Sequence, residues 1–444
     1  MTATWLAGFA MQDITPATPL ELSGFAAREQ PALGLHDRLA VRAIAVSDGS
    51  HAAAIAVVDL IGVDAAILES VRARVRDALG DVLQYVAVIG THTHGGPAVL
   101  RRALLGTVDD EYVDELVTRI ADTVVTAFVE RAPVMIRYGL GQERSVAKNR
   151  RDPDGPVDAD LPVIRFDDPE SGRPRFVLCS YACHPVTLGP GNRLYTRDYP
   201  GYLVDRLGEA CGGAPALFLT GCCAQLNTGH SAMDSILGIG LEKRTFEEAE
   251  RIGGVLAGMA AHTTYRIGPP GGMPEALPAG PLWARSARVR LPLAPAGRPD
   301  EGAIVALERQ ADELAADPAR WGEAVMAAAH LQWARTHDPS ADHVDTEVAV
   351  VALGRVAIVL LPGEIFVEFA LELKRRFPHL HLLTVSYAND AIGYLPHRSA
   401  FEAGGYEVEL AYRHYGFAGP YAVEAGDVLV EVVAEMLVQV EGVC

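Results

Sequence analysis

Residues Tyr85–Pro97 read YVAVIGTHTHGGP, an apolar run that stops abruptly at two histidines one residue apart and is followed by Gly-Gly-Pro. The apolar run predicts a buried β-strand, and the glycines and the proline predict a sharp turn after it. Because side chains alternate along an extended strand, His92 and His94 are expected to point to one face. The stretch indicates either a loop with two solvated imidazoles or, as we favour, a metal site at a strand end.

Strand-like and helical runs alternate along the chain, which predicts an α/β fold with a mixed β-sheet core and flanking helices. LAVRAIAVS and ALFLTG are typical of strands, whereas AAILESVRARVRDALG has helical periodicity. Residues 299–336, rich in Ala and Glu, predict a helical pair inserted between two strands. The Pro/Gly-rich segment 268–281 predicts a loop. No low-complexity linker divides the chain, so we expect a single domain over residues 1–444.

The composition disfavours some classes of binding partner and favours one cellular compartment. A net charge of −19 over 444 residues disfavours nucleic acid and anionic membrane surfaces as partners. The sequence shows no basic leader and no apolar run of the roughly 18 residues that a membrane span needs, so we expect a cytoplasmic location without a stable membrane anchor. The six cysteines form no CxxC pair, which favours reduced thiols over disulfides or a dithiol redox centre.

Three strand ends carry residues of types that commonly bind metals. The first carries the histidine pair, the second carries His184 in ACHPV, and the third carries Glu364 in LPGE. Functional groups gather where the strands of an α/β sheet end, so these side chains are expected to meet. Two imidazoles and one carboxylate are a common catalytic zinc set that leaves a position open for water. One histidine of the pair is expected to bind metal while the other faces the substrate.

Other polar residues allow two interpretations each. Asp59 ends a strand and is either a partner that orients a histidine ligand or a simple strand-end acid. Asp198 is either an N-cap of the helix that begins near Pro200 or a functional residue. Arg150 either belongs to a solvated basic run or clamps a carboxylate or carbonyl oxygen. Cys222 and Cys223 are either a thiol site or, as we favour, small buried thiols.

Several motifs, taken in order, resemble the neutral/alkaline (non-lysosomal) ceramidase family. They are GTHTHGGP, KNRR, ACHPV, LPGE and YANDAIGYLPHRSAFEAGGYE, and the opening AGFAMQDITP and LSGFAAR also fit. The stretch GCCAQLNTGH departs from the family's frequent GD/GN pattern and leaves any secondary metal or structural role there open. The resemblance covers the catalytic domain. Such ceramidases usually carry a further β-sandwich domain and an export signal, and we expect neither here.

The resemblance implies a set of site residues. It implies one Zn²⁺ held by four side chains, namely His92, His184, Glu364 and Tyr394. It further implies that His94 handles protons or polarises the scissile carbonyl and that Arg150 contacts the substrate. Tyr406 would donate to the developing oxyanion, and Gly24 would bring the backbone close to the substrate.

The implied function is a zinc-dependent amidohydrolase in which a metal-activated water cleaves an N-acyl (linear amide) bond of a small molecule. For a cytoplasmic chain without the extra domain, a soluble or smaller amide is favoured over membrane ceramide. An esterase or lactonase on the same zinc site stays open, because the same attack cleaves esters. A TIM-barrel amidohydrolase, which also uses a His-x-His pair, and a non-catalytic binding protein with a relic site are further alternatives. Assembly as a homo-oligomer is left open.

Overall fold

The computed structural model describes residues 5–442 except 26, 27, 29, 102–105, 238, 267–275, 279, 295, 298 and 339. The predicted loop at 268–281 and Cys444 therefore lie largely or wholly outside the described residues. The strands, in chain order, are β1 (Trp5–Asp13), β2 (Gly34–Leu35), β3 (Ala40–Ser47), β4 (Ala52–Val58), β5 (Tyr85–Gly90), β6 (Ala132–Gln142), β7 (Lys148–Asn149), β8 (Asp160–Asp167), β9 (Pro174–Tyr181), β10 (Leu194–Tyr195), β11 (Ala216–Thr220), β12 (Leu226–Asn227), β13 (Leu282–Pro292), β14 (His343–Leu353), β15 (Val356–Leu360), β16 (Glu364–Ile365), β17 (His381–Val385) and β18 (Tyr394–Leu395).

The helices, in chain order, are α1 (Ala65–Leu79), α2 (Asp110–Val129), α3 (Asp198–Ala210), α4 (Ala232–Leu237), α5 (Phe246–Arg266), α6 (Glu301–Ala315), α7 (Trp321–Thr336), α8 (Val367–Arg376), α9 (Ala411–His414) and α10 (Ala425–Glu441). A π-helical turn, Tyr406–Leu410, leads into α9. The predicted helical pair is present as α6 and α7, between β13 and β14. None of the described helices is long and apolar enough to cross a membrane.

Two sheets form the centre of the fold, which confirms the predicted α/β class with a mixed sheet. The larger sheet has the strand order β11-β9-β8-β6-β1-β3-β4-β5, and the smaller has the order β13-β14-β15-β17. The pairs β4–β5, β9–β11 and β15–β17 are parallel, and the other pairs in these two sheets are antiparallel. A TIM barrel is a closed ring of parallel strands, so that alternative is wrong.

The two sheets pack against each other through a shared apolar core. Ile55 and Leu219 of the larger sheet belong to the same buried cluster as Val351 and Ile358 of the smaller one. Helices α1, α2, α3 and α5 cover the outer face of the larger sheet, and α8 and α10 cover the smaller one. The layers are thus helix, sheet, sheet, helix. Because one core spans both sheets, we retain the prediction of a single domain over residues 1–444.

Main-chain hydrogen bonds join the two sheets where their strands end. The N–H of Gly90, at the end of β5, donates to the carbonyl of Tyr387 at 3.1 Å. The N–H of Ser386, just after β17, donates to the carbonyl of Thr220 at 3.0 Å, at the end of β11. The loops that leave β5, β9, β11 and β15 therefore emerge beside one another, and the candidate site lies among them.

Candidate metal centre and surrounding active site

A buried cluster of two imidazoles and one carboxylate lies at this edge. One ligand atom of each of His92, His184 and Glu364 lies within 4.8 Å of the others. The Nε2 atom of His184 is 2.9 Å from Oε2 of Glu364, and Nε2 of His92 is 3.6 Å from the same oxygen. The structure thus brings together the three residues that the strand ends indicated. Their donor set and convergence suit a divalent metal.

The histidine pair converges through a turn rather than through strand alternation. Strand β5 ends at Gly90, and His92 has a φ of 67°, in the left-handed region. The expectation that both imidazoles point to one face of an extended strand is therefore wrong. The N–H of His92 instead donates to the carbonyl of Leu60 at 2.9 Å, which holds the turn. The Nε2 atoms of His92 and His94 are nevertheless only 3.5 Å apart.

Backbone carbonyls orient both candidate histidine ligands. Nδ1 of His92 lies 2.7 Å from the carbonyl of Ile61, and Nδ1 of His184 lies 2.7 Å from the carbonyl of Cys223. A carbonyl only accepts, so each Nδ1 carries a proton, and each Nε2 is turned towards the cluster. Burial also lowers the pKa of His92 to about 3, which keeps it neutral, the form that binds metals.

Glu364 is held as a carboxylate. Burial alone would raise its pKa, but the neighbouring His92 and His184 and the hydroxyl of Tyr415 together lower it to about 2. Tyr415 donates to Oε1 at 2.5 Å, which leaves Oε2 facing the imidazoles. The carboxylate of Glu364 thus brings a buried negative charge to the cluster, and that charge fits a bound cation.

Tyr394, implied as a fourth ligand, lies beside Glu364 because β16 and β18 pair in parallel and place the two residues side by side. Its hydroxyl accepts a hydrogen bond from Arg150 at 3.1 Å. Burial and the nearby carboxylate of Glu364 raise the pKa of Tyr394 well above its usual range, although Arg150 opposes the shift. Tyr394 as a metal ligand stays a prediction, and Arg150 is the cation that would balance a phenolate there.

Arg150 is not part of a solvated run. Its side chain is 6% exposed, and its Nε donates to Oε1 of Glu407 at 2.9 Å. The other oxygen of Glu407 accepts from Arg151 at 2.6 Å. Sequence reasoning missed Glu407, although its position directly after Tyr406 in GGYE was the available signal. It also missed Tyr415, since nothing in the sequence connects that residue to Glu364.

Six of the eight predicted site residues line one small pocket, of about 50 Å³. They are Gly24, His94, Arg150, His184, Tyr394 and Tyr406. The other two, His92 and Glu364, lie against His184. One side of the pocket is formed by α4, through Ala232, Ser235 and Ile236.

His94 packs tightly against Gly24. A Cβ atom at Gly24 would lie 2.3 Å from Nδ1 of His94, and the φ of +104° also favours glycine. The ring of Phe25 covers His94, with ring centroids 4.6 Å apart. Among the described residues, Nδ1 of His94 has no hydrogen-bond partner. Burial, together with His92 and His184, lowers the pKa of His94 well below its usual range, so the imidazole is neutral and able to accept a proton.

Tyr406 presents a hydroxyl to the pocket. Its ring lies edge-on to that of Tyr394, with centroids 5.6 Å apart. Burial and the carboxylate of Glu364 raise its pKa, so the hydroxyl stays protonated and available as a donor. Its place beside Arg150 and His94 on the pocket wall agrees with the oxyanion-binding role that the resemblance implies, which stays a prediction.

The adjacent cysteines are buried and free among the described residues, as favoured from the sequence. Burial raises the pKa of Cys222 to about 12, which makes it a poor nucleophile. The carbonyl of Cys223 orients His184, and its sulfur lies 3.3 Å from the hydroxyl of Tyr387. Cys223 therefore supports His184 through its carbonyl.

Four polar residues have structural roles. Asp59 pairs with Arg42 at 2.8 Å and accepts from the N–H of Ala40, so it is a strand-end acid and does not orient a histidine ligand. Asp198 is the first residue of α3 rather than its N-cap, and its carboxylate accepts from the N–H of Leu188 at 3.0 Å. Within GCCAQLNTGH, Gln225 donates to Glu368 of α8, and Asn227 donates to the carbonyl of His230 within a turn.

The fold and the cluster together define the class: a two-sheet α/β protein with a buried His-His-Glu group suited to a divalent metal. Residues 5–214 match the family model described as neutral/alkaline non-lysosomal ceramidase, N-terminal. The resemblance to that family is thereby confirmed over these residues, which are just under half of the chain.

Individual proteins named neutral ceramidase are also similar to this chain. A neutral ceramidase of Oryza sativa subsp. japonica is 29% identical over 226 residues, which are 44% of this chain and 28% of the relative. A neutral ceramidase of Drosophila melanogaster is 26% identical over 236 residues, 46% of this chain and 32% of the relative. The match thus spans less than a third of the length of these relatives.

Solved structures establish the fold over nearly the whole chain. The crystal structure of neutral ceramidase from Pseudomonas aeruginosa superimposes with a TM-score of 0.75 at 18% identity, and it covers 98% of this chain and 74% of that one. A ceramidase complexed with C2 gives a TM-score of 0.75 at 17% identity, with 99% and 76% coverage.

Proposed function

We propose that this chain is a zinc-dependent amidohydrolase that cleaves the N-acyl bond of a small amide. The observation that carries the proposal is the buried cluster of His92, His184 and Glu364 against a pocket lined by His94 and Tyr406. The relatives named neutral ceramidase support an N-acyl amide as the bond that is cleaved.

Zinc is the metal that the donor set favours. Imidazole nitrogens suit Zn²⁺, whereas Mg²⁺ and Ca²⁺ prefer all-oxygen sites. His92, His184 and Glu364, with Tyr394 as the fourth ligand, would hold it. When bound, the ion supplies Lewis-acid chemistry that activates a water and polarises the substrate carbonyl.

The oxygen of the amide gains negative charge during hydrolysis, and Tyr406 is placed to donate to it. A donor of this kind is worth about 3 kcal/mol in the transition state. The raised pKa of Tyr406 keeps the proton on the phenol over the neutral range. Arg150, fixed by Glu407, orients the polar end of the substrate and holds Tyr394 in place.

His94 moves the proton. Its neutral imidazole, whose Nε2 lies on the side of the cluster at 3.5 Å from Nε2 of His92, accepts a proton from the attacking water and returns it to the nitrogen of the leaving amine. Protonation of that nitrogen lets the C–N bond break, and the products are a carboxylic acid and an amine.

The preferred substrate in this proposal is a soluble or smaller amide rather than membrane ceramide. The net charge of −19 opposes approach to an anionic lipid surface and supports this choice. A cytoplasmic location belongs to the same proposal, and the buried free thiols agree with it.

Replacement of the metal-site residues tests the proposal. His92→Ala and Glu364→Ala are each assayed with added zinc against N-acyl amides and the matching esters, with the exposed His379→Ala as control. We expect amide hydrolysis by the wild type and His379→Ala and its loss in the other two. Hydrolysis retained by His92→Ala would refute a metal-centred reaction, and cleavage of the esters alone would favour the esterase alternative.

A further inference from the structure

The pocket at the candidate metal centre has an apolar wall. Phe25, Val186 and Ile236 form this wall and line the pocket together with the polar site residues. All three are buried, with exposures of 7%, 4% and 8%. None of them takes part in the chemistry proposed above, so the wall is available to contact a part of the substrate that does not react.

The mouth of the pocket is formed by residues that are partly exposed. Gly24, His94 and Tyr406 line the pocket and are each partly accessible to solvent, as are Ala232 and Ser235 of α4. In the proposed reaction His94 returns a proton to the leaving amine, so the amine lies on this open side. The acyl group is attached to the other side of the carbonyl carbon and therefore points inward, towards the apolar wall.

One guanidinium joins the three parts of the apolar wall. Nη2 of Arg244 donates to the carbonyl of Val186 at 2.9 Å. Its Nη1 donates at 3.1 Å to Oγ of Ser235, the residue that precedes Ile236 in α4. The same guanidinium lies over the ring of Phe25, 5.4 Å from its centroid. Because a single side chain contacts all three segments, it fixes the distance between them and hence the width of the pocket.

The enclosed space is small, about 50 Å³. One water molecule needs about 10–15 Å³ of such volume, so the pocket holds only about four non-hydrogen atoms. An acetyl group with its amide nitrogen is of this size. Pockets that enclose larger ligands have volumes of about 300 Å³ or more, so a long acyl chain fits only if the apolar wall moves.

We propose that the acyl group of the substrate is short and apolar, acetyl or close to it in size, and that Phe25, Val186 and Ile236 set this limit. The inference rests on the proposed function, since it names the acyl part of the substrate for the same site. A methyl group placed against these side chains is removed from water, which favours binding. Each further methylene has to displace a buried side chain, which opposes binding.

A series of N-acylethanolamines that differ only in acyl length tests the assignment. The acetyl, butanoyl, hexanoyl and octanoyl members are assayed with the wild type, Ile236→Ala and Val186→Ala. Ile239→Ala, which shortens an isoleucine that is 54% exposed, is the control. Binding of the matching acyl hydroxamates to the zinc-loaded chain is measured by calorimetry, and this second readout does not depend on turnover.

We expect the kcat/KM of the wild type to fall about 10-fold or more from the acetyl to the hexanoyl amide, and the affinity for the hydroxamates to fall in the same order. Ile236→Ala should move the optimum to a longer acyl group, because it removes atoms from the apolar wall. Val186→Ala should shift the optimum in the same direction by less, and it tests the assignment if Ile236→Ala does not fold. Ile239→Ala should keep the order of the wild type.

The outcomes separate the two proposals. A kcat/KM of the wild type that stays level or rises up to the octanoyl amide would overturn the size limit and leave the amidohydrolase standing. The same chain-length order in the wild type, Ile236→Ala and Val186→Ala would also overturn the role of the apolar wall. If no amide were hydrolysed but the hydroxamates bound in the expected order, the amidohydrolase would be wrong and the size limit would hold. No hydroxamate binding by the wild type would overturn the size limit whatever the activity.

Discussion

The hydroxyl of Tyr415 donates to Oε1 of Glu364 at 2.5 Å, and the other oxygen of that carboxylate faces the imidazoles of His184 and His92. One phenol thus fixes which oxygen of Glu364 is available to a metal. The contact joins the residue that follows α9 to the first residue of β16, so the candidate metal cluster depends on a residue about fifty positions later in the chain.

Loss of the Tyr415 hydroxyl should weaken metal binding more than it weakens the fold. We expect Tyr415→Phe to lower zinc affinity about 10- to 100-fold, because hydrogen bonds that orient metal ligands typically have effects of that size. Competition with a chromogenic chelator measures the affinity. Tyr265→Phe, at a tyrosine that is 72% exposed, is the control and should bind zinc as the wild type does. Equal affinities for the two variants would contradict the orienting role of Tyr415.

Glu407 is expected to be important for stability. Its carboxylate is 5% exposed and neutralises Arg150 and Arg151, so Glu407→Gln leaves two largely buried cations without their partner. Breaking a buried ion pair by removing one partner costs about 3 kcal/mol or more. Urea denaturation should show that loss in the free energy of unfolding. Asp345→Asn, which breaks an exposed pair with Arg290, should change it little, and a similar small effect for Glu407→Gln would show that the contact is not important.

Substitution of Gly24, compared with substitution of Gly49, distinguishes a steric effect on His94 from backbone strain alone. Gly24→Ala puts a methyl group 2.3 Å from Nδ1 of His94, whereas Gly49→Ala places one at a similar φ, +92°, with nothing within 4 Å. Both variants should lose stability from the backbone conformation. Only Gly24→Ala should lose turnover, by about 100-fold or more, with its zinc content unchanged. Equal turnover in the two variants would mean that the position of His94 is unimportant.

Buried neutral histidines should make the metal-free protein sensitive to acid. Burial, with Arg413 and His330 nearby, lowers the pKa of His414 from 6.5 to about 4. Between those values the unfolded chain binds more protons than the folded one, so stability is lost as the pH falls from 6.5 towards 4. One such group contributes up to about 1.4 kcal/mol per pH unit.

Urea denaturation in chelator at pH 7.5, 6 and 5 checks this prediction. His414→Gln cannot be protonated and should flatten the dependence of unfolding free energy on pH, while the exposed His379→Gln should not. The histidine His92, with its pKa lowered to about 3, has the same sign and should leave a residual slope in His414→Gln. An unchanged slope in that variant would contradict the burial of a neutral imidazole.

Much of the fold could be predicted because its strands are buried on both faces. Runs such as those of β3 and β4 have a continuous apolar pattern, and every residue of both strands is buried in the structure. The pair α6–α7 was visible from composition. The strand ends also indicated His92, His184 and Glu364, since the loops that leave neighbouring strands meet at one edge.

The remaining part of the site depends on contacts that no local pattern encodes. The left-handed conformation of His92 is imposed by its hydrogen bond to Leu60 and by the stacked ring of Tyr387, 3.9 Å away. The pairing of Arg150 with Glu407 joins residues 257 positions apart. Asp59 was ambiguous for the same reason, because only the fold shows that its partner is Arg42.

The most direct test of the central claim is metal analysis of the purified chain, combined with amide hydrolysis before and after chelation. The account predicts about one zinc per chain, amide cleavage that stops when the metal is removed, and recovery when zinc is returned. Absence of a tightly bound metal, or cleavage that is indifferent to chelation, would contradict the assignment of His92, His184 and Glu364 as a catalytic metal site.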